Sequence, residues 1–436
     1  MRIKSWGVRL NATNFLIFLI FVAIVILRNP VYLQFPNFYA EDGVVFFKDS
    51  YSKGFLSLFE TFNGYPLVGI RIISLLGTSL SLFPFLHNLL LVAILFSLLS
   101  YIFWALLAFL TVRELRNFVD RFWAYLGGFL VLLIPLSGWN YAILGTIGNL
   151  KFGFLYLAFL LMVERLHRND WTKSNKSLLM ICVLTNPMSA IFLPFFYFSK
   201  QKPLISKSAT DYMFGIFTII VGMVIYVNSR TYILPKEYVS GYWSFWDFTK
   251  VVTGRTFIFP LTSSLYSENF LIITVLTLLV TVVALNNLSS PNRIFIITSL
   301  LCAVFVSSFI LFSRQGLIVF YSPATNPGPA QFFYPQNMIV MFCFVIIAES
   351  IARRFYRGLV PYKIAPVILF SLYIWGNYQG IGFGGVGPNA AWQKSFNSID
   401  KNTAEACKGE IKNLVEIEIL PGMPWKLTLP KSVVCQ

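Results

Sequence analysis

Charge is what this chain of 436 residues has least of: Asp, Glu, Lys and Arg together make up 12% of it, against roughly a quarter in soluble proteins. With 57% hydrophobic residues, a soluble multidomain chain is excluded and a membrane protein is expected. Histidine is nearly absent, and the two that occur, His87 and His167, stand too far apart for a metal site. No zinc-ligand spacing, no P-loop and no Asp-x-Asp motif of nucleotide-sugar enzymes is present, so neither a metal nor another cofactor is expected. Acid is the scarcer sign of charge, with 18 Asp and Glu against 34 Lys and Arg. In a soluble chain a net charge of +16 would raise the question of nucleic acid. In a membrane chain the basic residues first report which loops stay in the cytoplasm.

What is present in quantity is apolar runs long enough for a bilayer core of about 30 Å. The first, Phe15–Leu27, follows Arg2, Lys4 and Arg9 and precedes Arg28, Asn29 and Pro30. No small-x-small cleavage site follows it, so it reads as an uncleaved first span with a cytoplasmic N-terminus. Leu89–Val112, Phe122–Pro135, Gly153–Val163, Tyr212–Val227, Phe270–Leu285, Ile294–Phe312, Met338–Ala348 and Ile364–Trp375 are further spans. Between Leu178 and Phe198, Asn186-Pro187 and Pro194 break the run, because proline removes a helical hydrogen bond. With lysines on both flanks it reads as a hairpin of two short helices, one kinked span being the alternative.

Leu67–Leu82 is the ambiguous stretch, short and containing Arg71. Read as an interfacial helix, it leaves the densest basic loops, 113–121, 165–176, 199–207 and 352–363, on the side of the N-terminus. The expected fold is therefore an all-α polytopic membrane protein of about 11 membrane segments. It divides into a transmembrane module, 1–375, and an outer C-terminal tail, 376–436. The basic excess is then mostly topogenic, and nucleic acid is not an expected partner; the bilayer is.

Candidate chemistry falls in the outer segments. The first outer loop, 28–88, opens with Phe38-Tyr39-Ala40-Glu41-Asp42-Gly43, two adjacent carboxylates among aromatic residues. A carboxylate partly desolvated at a membrane surface has a raised pKa and can take a proton from a hydroxyl. Equally, Glu41 and Asp42 could cap or salt-bridge the helix that follows, Lys53–Phe62, whose Phe55, Leu58, Phe59 and Phe62 share a face that fits the interface. Of the outer cations able to meet a phosphate, Arg71, Lys151 and Arg314 rank first; snorkelling is the alternative for Lys151. Phe38, Tyr39, Asn149, Gln331 and Tyr334 are candidate pocket residues.

The order of one span, an acidic first outer loop, interfacial helices, many spans and an outer tail resembles the GT-C class of glycosyltransferases. More closely, Phe38-Tyr39-Ala40-Glu41-Asp42 resembles the Phe-Trp-Ala-Glu-Asp motif of the O-antigen serotype-converting glucosyltransferases of enteric bacteria and their phages, departing at Tyr39. That resemblance implies an inverting enzyme of the bacterial inner membrane. It would take a hexose, glucose in that family, from undecaprenyl phosphate and place it on lipopolysaccharide O-antigen at the periplasmic face. It also implies a first-loop acid as base on the acceptor hydroxyl, which falls on Glu41 with Asp42 as orienting residue or alternative base. The competing readings are an O-antigen polymerase and a transporter or flippase. A transporter would place ionisable residues in mid-membrane, whereas these spans hold almost none.

Of five cysteines, Cys182, Cys302 and Cys343 lie in apolar runs and read as packing residues. Cys407 and Cys435 both fall in the outer tail, where an oxidising compartment favours a disulfide between them.

Overall fold

The computed structural model describes residues 12–81, 89–136, 142–167, 172–194, 209–230, 244–263, 281–282, 285–286, 288–313, 330–355, 361–381, 399–409, 414–420, 425–431 and 435. It is mostly helical. Three helices are long and apolar enough to cross a membrane among the described residues: Leu89–Leu115, Ser290–Phe312 and Tyr334–Arg354. Shorter apolar helices include Ala12–Arg28 and Arg121–Leu132.

In chain order the helices that position the site are α1 (Ala12–Arg28), α2 (Val31–Gln34), α3 (Lys48–Lys53), α4 (Val68–Ser81), α5 (Leu89–Leu115), α6 (Arg121–Leu132), α7 (Leu150–His167) and α8 (Lys173–Thr185). They are followed by α9 (Ala209–Arg230), α10 (Phe245–Thr253), α11 (Ser290–Ser313), α12 (Tyr334–Phe355), α13 (Pro361–Ile381) and α14 (Ile399–Gly409). The tail departs from the all-α expectation: β1 (Leu414–Glu418) and β2 (Lys426–Pro430) pair antiparallel, Leu414 opposite Pro430. Their alternating Val415, Ile417, Leu427 and Leu429 are buried, the period-two pattern of a strand with one face covered.

Two polar clusters mark one end of the bundle. Arg113 donates to Glu114 at 2.6 Å and to the buried Glu164 at 2.7 Å, joining α5 to α7. Glu349 accepts from the Asp120 N–H at 2.8 Å, from Arg353 at 3.0 Å and from the Tyr362 hydroxyl at 2.6 Å. These acids sit at helix ends and are paired, as buried carboxylates must be. At the other end Arg28, fully buried, donates to the carbonyls of Leu132, Ile134 (2.8 Å) and Ile381 (3.0 Å). A single guanidinium thus satisfies carbonyls where α6 and α13 run out of helix partners.

One expectation for the first loop is corrected. The helix expected over Lys53–Phe62 is a 3₁₀ turn, Gly54–Phe59, entered through Gly54 at φ +54°. Its three-residue period exposes Phe55, Leu56 and Phe59 and buries Ser57. Helix α4, over the stretch read as interfacial, packs against α5 and α7. The space a side chain would need at Gly77 is taken by Phe96 of α5, and at Gly69 by Phe154 of α7, whose ring centroid is 4.8 Å from that of Phe103. Helix α4 therefore runs antiparallel along the first half of α5, with Gly69 N–H donating to Thr185 Oγ1 at 2.7 Å. The expected break after α8 is present: the helix stops at Asn186, and a 3₁₀ turn, Pro187–Ile191, follows. The second leg beyond 194 lies outside the described residues, as does most of Phe270–Leu285.

The tail shares the main core. Ile399, Ile417 and Ile419 belong to the same cluster of buried side chains as Phe38, Phe96 and Trp104, and Cys407 is joined to Cys435.

Candidate functional site

The acidic motif is built by a sharp change of backbone direction. Ala40 takes φ +44°, a left-handed conformation uncommon for a residue with a Cβ. The chain then enters a π-helical turn, Asp42–Phe47, that continues into α3. Glu41 precedes this turn and its side chain forms no cap. The two neighbouring acids consequently point into different surroundings.

Asp42 is buried and docks on the loop that precedes α7. Its Oδ2 accepts the N–H of Ile147 at 3.0 Å and its Oδ1 the N–H of Gly148 at 2.7 Å. A Cβ at position 148 would stand 2.9 Å from Oδ1, so glycine is what lets the carboxylate approach. Burial pushes the Asp42 carboxyl up to about 7 from its ordinary 3.8. The two N–H groups and the charge of Lys151 pull it down, and the charge of Glu41 adds to the rise. A carboxyl so placed changes charge near neutral pH.

Glu41 is half-buried, and its carboxylate makes no hydrogen bond or ion pair among the described residues. Tyr39 is held by edge contact with Tyr32, ring centroids 6.3 Å apart, and its hydroxyl is pushed to a higher pKa by burial and by the charges of Glu41 and Asp42. Phe38 is buried, stacked on Phe47 at 5.0 Å and edge-on to Phe96 at 5.7 Å.

The loop receiving Asp42 is rigid for reasons in its own sequence. Gly145 at φ +102° leaves room for the rings of Tyr32 and Tyr101. Asn149 donates to Ala142 O at 3.2 Å and to Thr146 Oγ1 at 2.9 Å, so it braces the loop. From α5, Ser100 donates to Thr146 O at 3.0 Å and Trp104 to Ile143 O at 3.0 Å. Tyr334 packs edge-on beneath Trp104 at 5.3 Å, a supporting position in the core.

Of the three cations, Lys151 lies in the first turn of α7, close enough for its charge to act on Asp42. Arg71 of α4 stands over Phe46, four residues after Asp42, with its guanidinium 5.8 Å from the ring centroid. It is buried and pairs with Asp49 at 3.0 Å, while Nε and Nη2 have no partner among the described residues. A buried guanidinium with unfilled N–H groups is suited to donate to an anionic oxygen. Arg314 lies outside the described residues; Gln331 is half-buried in the 3₁₀ turn Ala330–Phe332.

Three contributors were not singled out from sequence. The Ile147 and Gly148 N–H groups are signalled only by the paired glycines of Gly145-Thr146-Ile147-Gly148. Arg28 has the signal of an arginine closing an apolar run. Leu420 of the tail, which bonds to the motif backbone, carries none. No protein-family model matches the chain, and neither a curated protein nor a solved structure does.

Proposed function

We propose that the chain is an inverting, GT-C-like membrane glycosyltransferase. It would move a hexosyl group, glucosyl by resemblance, from undecaprenyl phosphate to lipopolysaccharide O-antigen at the periplasmic face of the bacterial inner membrane. The observation that carries this reading is the division of labour in the acidic pair. Asp42 is fixed by two backbone N–H groups, which leaves Glu41, unpartnered among the described residues, as the base.

In this reading Glu41 takes the proton of an acceptor hydroxyl as its oxygen attacks the anomeric carbon opposite the phosphate. The bond from that carbon to the phosphate oxygen breaks, its electron pair leaves on undecaprenyl phosphate, and Lys151 and Arg71 meet the developing charge. Arg314 and Gln331 would complete the donor side. With about 11 membrane segments, a cytoplasmic N-terminus and a periplasmic tail, as the sequence reading has them, this chemistry would fall outside, where lipid-linked rather than nucleotide sugars are supplied.

Glu41→Gln should lower transfer from a synthetic polyprenyl-phosphate glucose to O-antigen by about 10²–10⁴-fold, with the protein inserted at wild-type level. Unchanged transfer by inserted Glu41→Gln protein would remove Glu41 as the base.

A further inference from the structure

We propose that the C-terminal tail is a positioning element for the acidic pair, with Leu420 as the residue that holds the motif in its left-handed turn. This rests on the glycosyl-transfer reading above only for its effect on turnover.

The contact is made through backbone. Leu420 donates its N–H to Phe38 O at 3.0 Å and accepts the Ala40 N–H on its own carbonyl at 2.5 Å, a parallel bridge opposite Tyr39. One tail residue thus pins both ends of the tripeptide before Glu41. Ala40 sits in a conformation that L-residues avoid, and such conformations persist where surroundings over-determine them. A second anchor lies at Ile399, whose N–H donates to Pro36 O at 2.8 Å. A third is the Ile419 side chain, whose Cδ1 stands 2.9 Å from where a Cβ at Gly43 would be, so the tail closes on the motif without a gap.

The tail is itself closed into one unit. Asn402 of α14 donates to Glu418 O at 2.7 Å, Ile419 N–H donates to Trp425 O at 3.2 Å, and the Cys407–Cys435 disulfide ties α14 to the segment after β2. The anchors at 399 and 419–420 therefore move together. Because Glu41 has no side-chain partner among the described residues, its direction follows its backbone, held before it by the tail and after it by Asp42.

The test uses the full chain purified without reductant in lipid nanodiscs, as wild type, as Leu420→Pro, which deletes the N–H given to Phe38, and as Cys407→Ser with Cys435→Ser. Hydrogen exchange of residues 36–43 is read against α12 as an internal control, alongside transfer kinetics. The expected result is at least about tenfold faster exchange at 36–43 with α12 unchanged, kcat reduced at least about tenfold and KM for the lipid donor within about twofold. Unchanged exchange at 36–43 overturns the proposal, as does full kcat in a variant whose 36–43 segment has loosened. If Leu420→Pro also loosens α12, Tyr39→Cys combined with Leu420→Cys decides: a disulfide mapped between the two positions supports the proposal, and its absence under oxidising conditions overturns it. A wild-type protein that transfers no sugar while its tail variants still release 36–43 would remove the glycosyl-transfer reading and leave the tail's hold on the motif standing.

Discussion

Replacing Asp42 by Asn should change how stability depends on pH, and the structure sets both sign and size. The Asp42 carboxyl rises from 3.8 to about 7 on folding, burial being the main cause. Below the unfolded value the group is protonated in both states and costs nothing. As pH rises, the unfolded chain gives up its proton first, so the folded state is disfavoured by about 1.4 kcal/mol per unit. The loss levels off above about 7 at roughly 4 kcal/mol. The groups facing Asp42 are Glu41, Lys151, the Tyr32 and Tyr39 hydroxyls and the N–H groups of Ile147 and Gly148. Asn keeps the volume without titrating, but its amide nitrogen cannot accept, so one N–H contact is lost at a pH-independent cost of about 1–3 kcal/mol. Thermal melts of both proteins in one detergent at pH 5, 6, 7 and 8 cancel what other groups contribute. The advantage of wild type should shrink by about 2 kcal/mol between pH 5 and 7, roughly 2–3 °C for a chain of this length, and then flatten. An advantage that is constant, or that grows with pH, would show the carboxylate held ionised by its N–H donors and Lys151, and would refute the reasoning.

Gly148→Ala places a Cβ 2.9 Å from Asp42 Oδ1 and 3.4 Å from the Phe46 ring. It should destabilise by about 1–3 kcal/mol and lower transfer, which melts and kinetics measure separately. Arg71→Lys keeps a charge but loses the planar fork. The KM for polyprenyl-phosphate donor should rise about tenfold, or roughly 1.4 kcal/mol, with little change in KM for the acceptor; a donor KM equal to wild type would free Arg71 from phosphate contact. Arg28→Met removes the donor shared by three carbonyls. Denaturant titration should show a loss of about 3–5 kcal/mol, with α6 and α13 losing exchange protection first.

Composition made the membrane class legible, because a run such as Leu89–Val112 has no other use for so many apolar residues. The first-loop acids were legible because their chemistry is local: two carboxylates beside aromatics at the end of a span. What sequence could not supply is the difference between those acids. It arises at a loop 105 residues further along, through backbone N–H groups that every residue but proline carries. The same holds for α4. Its apolar face and single arginine fit a surface helix as well as a packed one, and the decision lies with Phe96 and Phe154, which fill the spaces left by Gly77 and Gly69. The tail shows the limit most sharply. Its alternating strands are too short to stand out, and its bond to Phe38 and Ala40 is again backbone to backbone. A motif such as Phe-Tyr-Ala-Glu-Asp therefore names the groups able to react. Which of them is left without a partner is decided by distant backbone that holds the other in place.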